Sequence, residues 1–213
     1  MRISLLSAAL LATGVASAAT PVDGWYSSVF GGYTYIPANI ENYTTIFIYR
    51  DRTGYKSGYN AGGRIGFQSN PLRYEAEYTY LRGNLKHFSI NNINQLGVSG
   101  YSSANLLMAN IYYDFPEMLP AISPYLGLGI GYAYLQANLS SLGPFAPTFF
   151  SVSDSVFAYQ GTAGITYNFA ENYAVNLAYR YVATDKPSSF GKIFQAHMAN
   201  VGAIYRFDQV NYK

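Results

Sequence analysis

A chain of 213 residues with a formal charge of +2, 11% charged residues, 17% aromatic residues and no cysteine does not have the make-up of a water-soluble domain, which usually carries about 25% charged side chains. The near-neutral balance gives no basis for binding nucleic acid or for a polybasic membrane patch, and nothing in the chain calls for a disulfide. Past the first 18 residues no apolar run reaches the ~18 residues a spanning helix needs, which excludes a helical membrane protein and leaves a closed sheet, since only helices and barrels satisfy every backbone hydrogen bond inside lipid.

At the start of the chain, Arg2, the apolar stretch from Ile3 to Val15 and the small-residue site Ala16-Ser17-Ala18 describe a secretory signal peptide over residues 1–18. One domain, 19–213, is then expected, with no linker inside it. Alternation at period two predicts eight strands: 24–36, 55–68, 72–82, 102–114, 123–136, 156–169, 173–182 and 194–207. Short turns are expected at Ser69-Asn70-Pro71 and Ala170-Glu171-Asn172, and a longer one at 115–122 with Pro116 and Pro120. The other four connections, 37–54, 83–101, 137–155 and 183–193, are long and rich in Asn, Ser, Thr, Gly or Pro. Short turns at one end and long loops at the other predict an all-β fold, a closed antiparallel eight-stranded up-and-down transmembrane barrel with turns in the periplasm and loops outside the cell. An even strand count agrees, because it puts both termini at the turn end.

Each predicted strand has two distinct faces. One carries Val29, Ile65, Leu107, Ile111, Leu128, Ile130, Leu177 and Val201 in its middle positions. Aromatic residues hold both ends of that face: Trp25, Phe67, Tyr74, Tyr113, Tyr173, Tyr205 and Phe207 toward the turns, and Tyr33, Tyr59, Tyr78, Tyr132, Tyr159 and Tyr179 toward the loops. Strand propensity alone accounts for Tyr and Phe in a sheet, but not for their segregation to both ends. Two aromatic belts around an apolar band are what a bilayer selects.

The opposite face carries Arg64, Arg73, Glu75, Glu77, Asp114, Arg180 and Arg206. An arginine at mid-bilayer on the lipid side would cost about 2–4 kcal/mol, so these residues are expected to line the lumen. Eight strands make a barrel that its own side chains fill. The expected outcome is a buried network of four arginines with three carboxylates, with Gly127, Gly129 and Gly131 leaving room for long side chains. Such a network serves either as the polar plug of a small barrel or as a gate in a narrow ion path.

Trp25 with Gly31-Gly32-Tyr33, the segment Asn110-Ile111-Tyr112-Tyr113-Asp114, the run from Pro124 to Tyr132, Ala158-Tyr159-Gln160-Gly161 and Tyr179-Arg180-Tyr181 occur in order along the chain. The last strand carries Asn200, Gly202, Tyr205 and Phe207, which resembles the C-terminal sorting signal of Gram-negative outer-membrane barrels. Together these motifs resemble the opacity-type surface-antigen family of eight-stranded bacterial outer-membrane proteins over essentially all of 19–213. The resemblance implies a monomeric barrel placed among outer-membrane lipid and lipopolysaccharide by the barrel-assembly machinery, with exposed loops that act as antigens or adhesins toward a host surface ligand. The tail 208–213 departs from the family, most of whose members stop at the terminal aromatic.

An enzymatic role has one candidate. His87-Phe88-Ser89 is similar to the His-x-Ser pair of an eight-stranded lipid A deacylase, where the imidazole serves as base for the hydroxyl. Here the pair lies past the predicted strand end at Arg82, in a Ser-rich loop. His197 has no Ser or Cys two places away, and neither histidine has a metal-ligand spacing. No cofactor or metal is therefore expected. Binding is expected at the loops, where Tyr43, Phe47 and Tyr49 in 37–54 and Phe145, Phe149 and Phe150 in 137–155 offer apolar contact points, or else pack within the loops or extend the sheet. The sequence is thus read first as a non-enzymatic surface protein, second as a narrow conduit for small apolar molecules, and third as a lipid A-modifying enzyme.

Overall fold

The computed structural model describes residues 23–37, 39–45, 47–55, 58–90, 93–94, 99–116, 121–141, 148–186 and 193–207, and the side chains within 23–37, 58–83, 101–116, 121–138, 151–186 and 193–207. Eleven strands lie among them: β1 (Gly24–Tyr35), β2 (Asn39–Thr45), β3 (Phe47–Tyr55), β4 (Gly58–Ser69), β5 (Leu72–Ile90), β6 (Ile93–Asn94), β7 (Ser99–Asp114), β8 (Ile122–Ser141), β9 (Thr148–Asn168), β10 (Tyr173–Thr184) and β11 (Gln195–Arg206). Eight of these, β1, β4, β5 and β7 to β11, pair antiparallel with both neighbours. The ring closes where β1 meets β11, so the barrel strands have no free edge in the middle of the barrel.

Alternation decides which side chains face in. The outer face is apolar where the strands are central, with Leu128 71%, Val29 67% and Leu107 65% exposed. Water does not tolerate a continuous apolar band of this kind, and hydrocarbon does. Aromatic rings border the band at both ends and touch one another: Trp25 and Phe67 lie 5.6 Å apart between centroids, Tyr173 and Tyr205 5.1 Å, and Tyr132 and Phe157 6.0 Å.

Several strand ends differ from expectation at the loop end. β5 runs to Ile90 rather than stopping at Arg82, β8 runs to Ser141, and β9 begins at Thr148, with Ser141 paired to Thr148. The expected loop 37–54 forms the β2–β3 hairpin, which docks on β5 through pairs such as Asp51 with Ile90. Tyr55 belongs to this hairpin and not to the barrel strand, which starts at Gly58. The reason is physical: above the bilayer both faces of a ladder meet water, so a strand persists on backbone hydrogen bonds alone and its sequence loses the apolar alternation that marks the spanning part.

Four of the inward rings, Tyr26, Phe30, Tyr112 and Tyr125, each sit over a glycine of a neighbouring strand. Phe30 is paired with Gly62 on one side and Gly202 on the other, and Tyr26 with Gly66. A Cβ on Gly62 would lie 2.5 Å from the Phe30 ring, and one on Gly66 or Gly164 would lie 2.6 Å from Tyr26 or Tyr125. A Cβ on Gly127 would overlap Tyr112. Gly127 therefore makes room for a ring, and Gly129 for Asn110, rather than for arginines as the sequence suggests. At the loop end the lumen changes character. Leu81, Leu106, Met108, Leu135, Val182 and Met198 are buried together with Ile36 and Phe194 in a mainly apolar tier that also takes in Thr34 and Thr184.

Candidate functional site

The structure places all seven charged residues expected in the lumen on the inward face and brings six of them into one connected network. β4 and β5 set Arg64 directly opposite Glu77, and Arg64 Nε donates to Glu77 Oε2 at 2.8 Å with Glu75 Oε2 at 3.5 Å. Glu77 is the hub. It also accepts from Arg180 across the barrel, from Thr79 Oγ1 at 2.8 Å and from Asn110 Nδ2 at 3.3 Å. Arg180 Nη2 reaches Gln160 Oε1 at 2.8 Å, and Gln160 in turn donates to Asn110 Oδ1 at 2.5 Å. Toward the turns, Arg73 pairs with Asp114 at 2.7 Å and lies 3.6 Å from Glu75 Oε1, the same oxygen that accepts from Tyr26 Oη at 2.5 Å.

The inward rings complete the network. Phe30 carries Arg64 over its face at 4.2 Å and Arg180 at 5.0 Å, while Arg73 lies 4.7 Å from the Tyr125 ring and 5.0 Å from Tyr112. Desolvated cation–π contacts of this kind contribute about 2 kcal/mol. Sequence reasoning missed Tyr26, Phe30, Tyr112 and Tyr125 because it assigned aromatic residues to belts. Their parity was the available signal: Tyr26 and Phe30 alternate with Trp25 and Val29, which face out.

Arg206 is the seventh charged residue, and it stands apart. Its hydrogen bonds go to neutral amides, Nη2 to Asn168 Oδ1 at 2.8 Å and Nε to Gln68 Oε1 at 3.4 Å. Above the charged layer Asn200 donates to Asn60, and Asn60 Nδ2 donates to Thr34 Oγ1 at 2.9 Å. With the apolar tier above these, the described lumen is filled from the layer of Glu77 and Arg180 to the loop end. A permeating solute would have to displace interlocked side chains.

The terminal-strand residues divide by face. Asn200 and Gly202 point inward, whereas Tyr205 and Phe207 point outward with ring centroids 5.3 Å apart. His197, on the outer face near the loop end, holds Tyr179 Oη at 2.7 Å from Nδ1 and lies beside the Tyr181 ring at 5.1 Å. His87 and Ser89 fall within β5 rather than in a loop, with backbone pairs to Gly54 and Arg52; their side chains lie outside the described residues, and the strand continues there because the β2–β3 hairpin supplies it with a partner. Tyr43, Phe47 and Tyr49 take positions in that hairpin, and Phe149 and Phe150 at the start of β9. The side chains of these five, and all of Phe145, lie outside the described residues.

A family model described as the outer membrane protein beta-barrel domain matches residues 3–207. An outer membrane protein of Gluconacetobacter diazotrophicus is 28% identical over 227 residues, covering 94% of this chain and 57% of that protein. An uncharacterized protein of Brucella abortus is 33% identical over 90 residues, 39% of this chain and 31% of its own length. The chain thus spans less than two thirds of the curated relatives it matches. Among solved structures, neisserial surface protein A is similar with a TM-score of 0.57 at 17% identity, over 86% of this chain and 97% of that one. OprG of Pseudomonas aeruginosa gives a TM-score of 0.55 at 13% identity, over 88% and 99%. At such identities the likeness is one of fold.

Proposed function

We propose, from the premise that this chain belongs to the outer membrane protein beta-barrel family, that it is a non-enzymatic envelope protein whose work is surface interaction through the structure standing outside the bilayer. One observation carries this reading: the lumen is filled, while the sheet rises well past the outer aromatic belt. β8 and β9 stay paired out to Ser141 and Thr148, and the β2–β3 hairpin docks on the extended β5. Strand-built projections hold loop tips in fixed positions, which lowers the ordering cost of binding a partner. Tyr43, Phe47, Tyr49, Phe145, Phe149 and Phe150 are the proposed contacts toward a host surface ligand or lipopolysaccharide. The barrel acts as a monomer, inserted by the barrel-assembly machinery through the strand that carries Asn200, Gly202, Tyr205 and Phe207.

Deletion of 37–54 and 137–155 is expected to abolish adhesion of expressing bacteria to cultured cells and to immobilised matrix, while the protein keeps the faster migration of an unheated, folded barrel on a detergent gel. Undiminished adhesion by folded deletion protein overturns the proposal. Steady single-channel openings in planar bilayers that vanish on replacing Arg180 or Glu77 would instead establish the conduit.

Residues 1–18 act in this reading as a cleaved signal peptide, leaving Ala19 as the first residue. The intact mass of protein taken from outer membranes is expected to match 19–213, and a mass that includes Met1 to Ala18 refutes the cleavage.

A further inference from the structure

At the turn end, which faces the periplasm, the lumen opens into a cavity of about 150 Å³ lined by Gln68, Arg73, Asp114, Phe115, Thr166 and Arg206 among others. This mouth has two properties that the filled lumen above it lacks. The first is charge. Asp114 is held by Arg73 at 2.7 Å, and among the described residues the guanidinium of Arg206 donates only to the neutral amides of Gln68 and Asn168. The guanidinium of Arg206 thus has no ion pair among the described residues, although it is 96% buried, with 4% exposure. A buried charge without a counter-charge is costly, and the adjoining cavity is where a counter-ion would sit.

The second property is a set of unused donors. Arg206 Nη1, Arg73 Nη2 and Thr166 Oγ1 are all buried without a hydrogen-bond partner among the described residues, on residues 4%, 4% and 5% exposed, and all three residues line this cavity. One guanidinium nitrogen from each arginine and a hydroxyl match the oxygen atoms of a carboxylate, which accepts charge-assisted hydrogen bonds from such donors. Pro116 gives the same cavity an apolar edge, and Phe115 borders it with its ring against Tyr113 of the outer belt. The volume is several times the ~30 Å³ share of one liquid water, enough for a carboxylate together with a small side chain.

We propose that the periplasmic mouth of the barrel binds the carboxylate end of a short peptide, with Arg206 as the principal anchor, Arg73 and Thr166 as supporting donors, and Pro116 against the adjacent apolar group. Asp114 sets the limit of the site: it keeps Arg73 partly engaged and disfavours ligands with a second negative charge. That selects a monoanionic carboxylate over phosphate. The peptide layer of the cell wall and soluble periplasmic peptides both present such an end.

The test uses folded full-length barrel in detergent micelles, titrated with N-acetyl-alanyl-alanine, with its C-terminal amide and with inorganic phosphate, and read by calorimetry and amide chemical shifts. The acetylated dipeptide is expected to bind with shifts confined to strand ends at the turn side, and both the amide and phosphate to bind at least about tenfold more weakly. Arg206→Gln is expected to weaken the dipeptide by about tenfold or more, and Thr166→Val by a smaller factor, with gel migration confirming that each variant is folded. Binding of the amide or of phosphate as tight as that of the dipeptide overturns the proposal, as does unchanged binding in folded Arg206→Gln. Asp208 and Glu117 are near in sequence, so Asp208→Asn and Glu117→Gln are included; binding that emerges only in one of these variants shows that the chain's own carboxylate fills the site and also overturns it. Retention of the wild-type protein on purified cell wall, lost on adding free dipeptide, identifies the wall as the source, whereas dipeptide binding without retention identifies soluble peptide. Either outcome leaves the adhesion experiment untouched, because that one reads the opposite end of the barrel.

Discussion

Glu77→Ala is expected to destabilise the folded barrel by about 3–5 kcal/mol, the cost of leaving buried charge without its partner. Glu77 is 1% exposed and is the single carboxylate shared by Arg64 and Arg180. After its removal Arg64 still has Glu75 at 3.5 Å, but among the described residues Arg180 keeps only the neutral oxygens of Gln160 and Thr79. Arg180 is 0% exposed, so water cannot take over from the missing carboxylate without opening the barrel. Urea unfolding in lipid vesicles, followed by the heat-dependent gel shift, measures the loss. The pair Glu77→Leu with Arg180→Met should recover most of it, because replacing both partners removes the desolvation cost as well as the attraction. A single variant as stable as wild type would show that Glu77 does not hold the network together.

Leu128→Arg probes the other face, with an expected cost of about 2–4 kcal/mol. Leu128 is the most exposed of the large apolar residues described, and it sits between Ile111 on β7 and Gly161 on β9, midway between the two aromatic belts. An arginine there has no lumen partner to reach and must draw water or headgroups inward. The same unfolding assay is the check, and Tyr134→Arg, at the loop-end belt of the same strand, should cost only about 0–1 kcal/mol. Equal stability of Leu128→Arg and wild type would mean that this face does not meet hydrocarbon.

How much was legible in the sequence follows from what each signal depends on. Side-chain period two is a property of every strand, and the penalty for charge in lipid is large, so Arg64, Glu77 and Arg180 could be placed in the lumen from parity alone. Their partner choice could not. Whether Arg180 meets Glu75 or Glu77 depends on how far opposite sides of the barrel are staggered, and single strands do not record that. Strand ends were misjudged wherever bilayer selection stops: Leu139-Ser140-Ser141 shows no alternation because both of its faces are outside the membrane. Inward Tyr26, Phe30, Tyr112 and Tyr125 were obscured by the abundance of outward rings. The loop-end apolar tier was hidden for a related reason, since Leu106 and Met108 make β7 apolar on both faces and blur the contrast on which face assignment rests.

The rings seated on glycines bear on how the cylinder finds its correct stagger. A one-step slip between strands turns every greasy side chain inward and is rejected at once. A two-step slip is more insidious, since it keeps each residue on its proper side and so passes any test based on polarity. Sliding β1 by two against β4 would drive Phe30 onto Arg64 or Asn60 and, in the same movement, Tyr26 onto Gln68 or Arg64. The notch at Gly62 and the notch at Gly66 are four residues apart, matching the interval between the two rings, so they work like two teeth of a key that must enter together. Shape thus decides among alignments that hydrophobicity alone leaves equivalent.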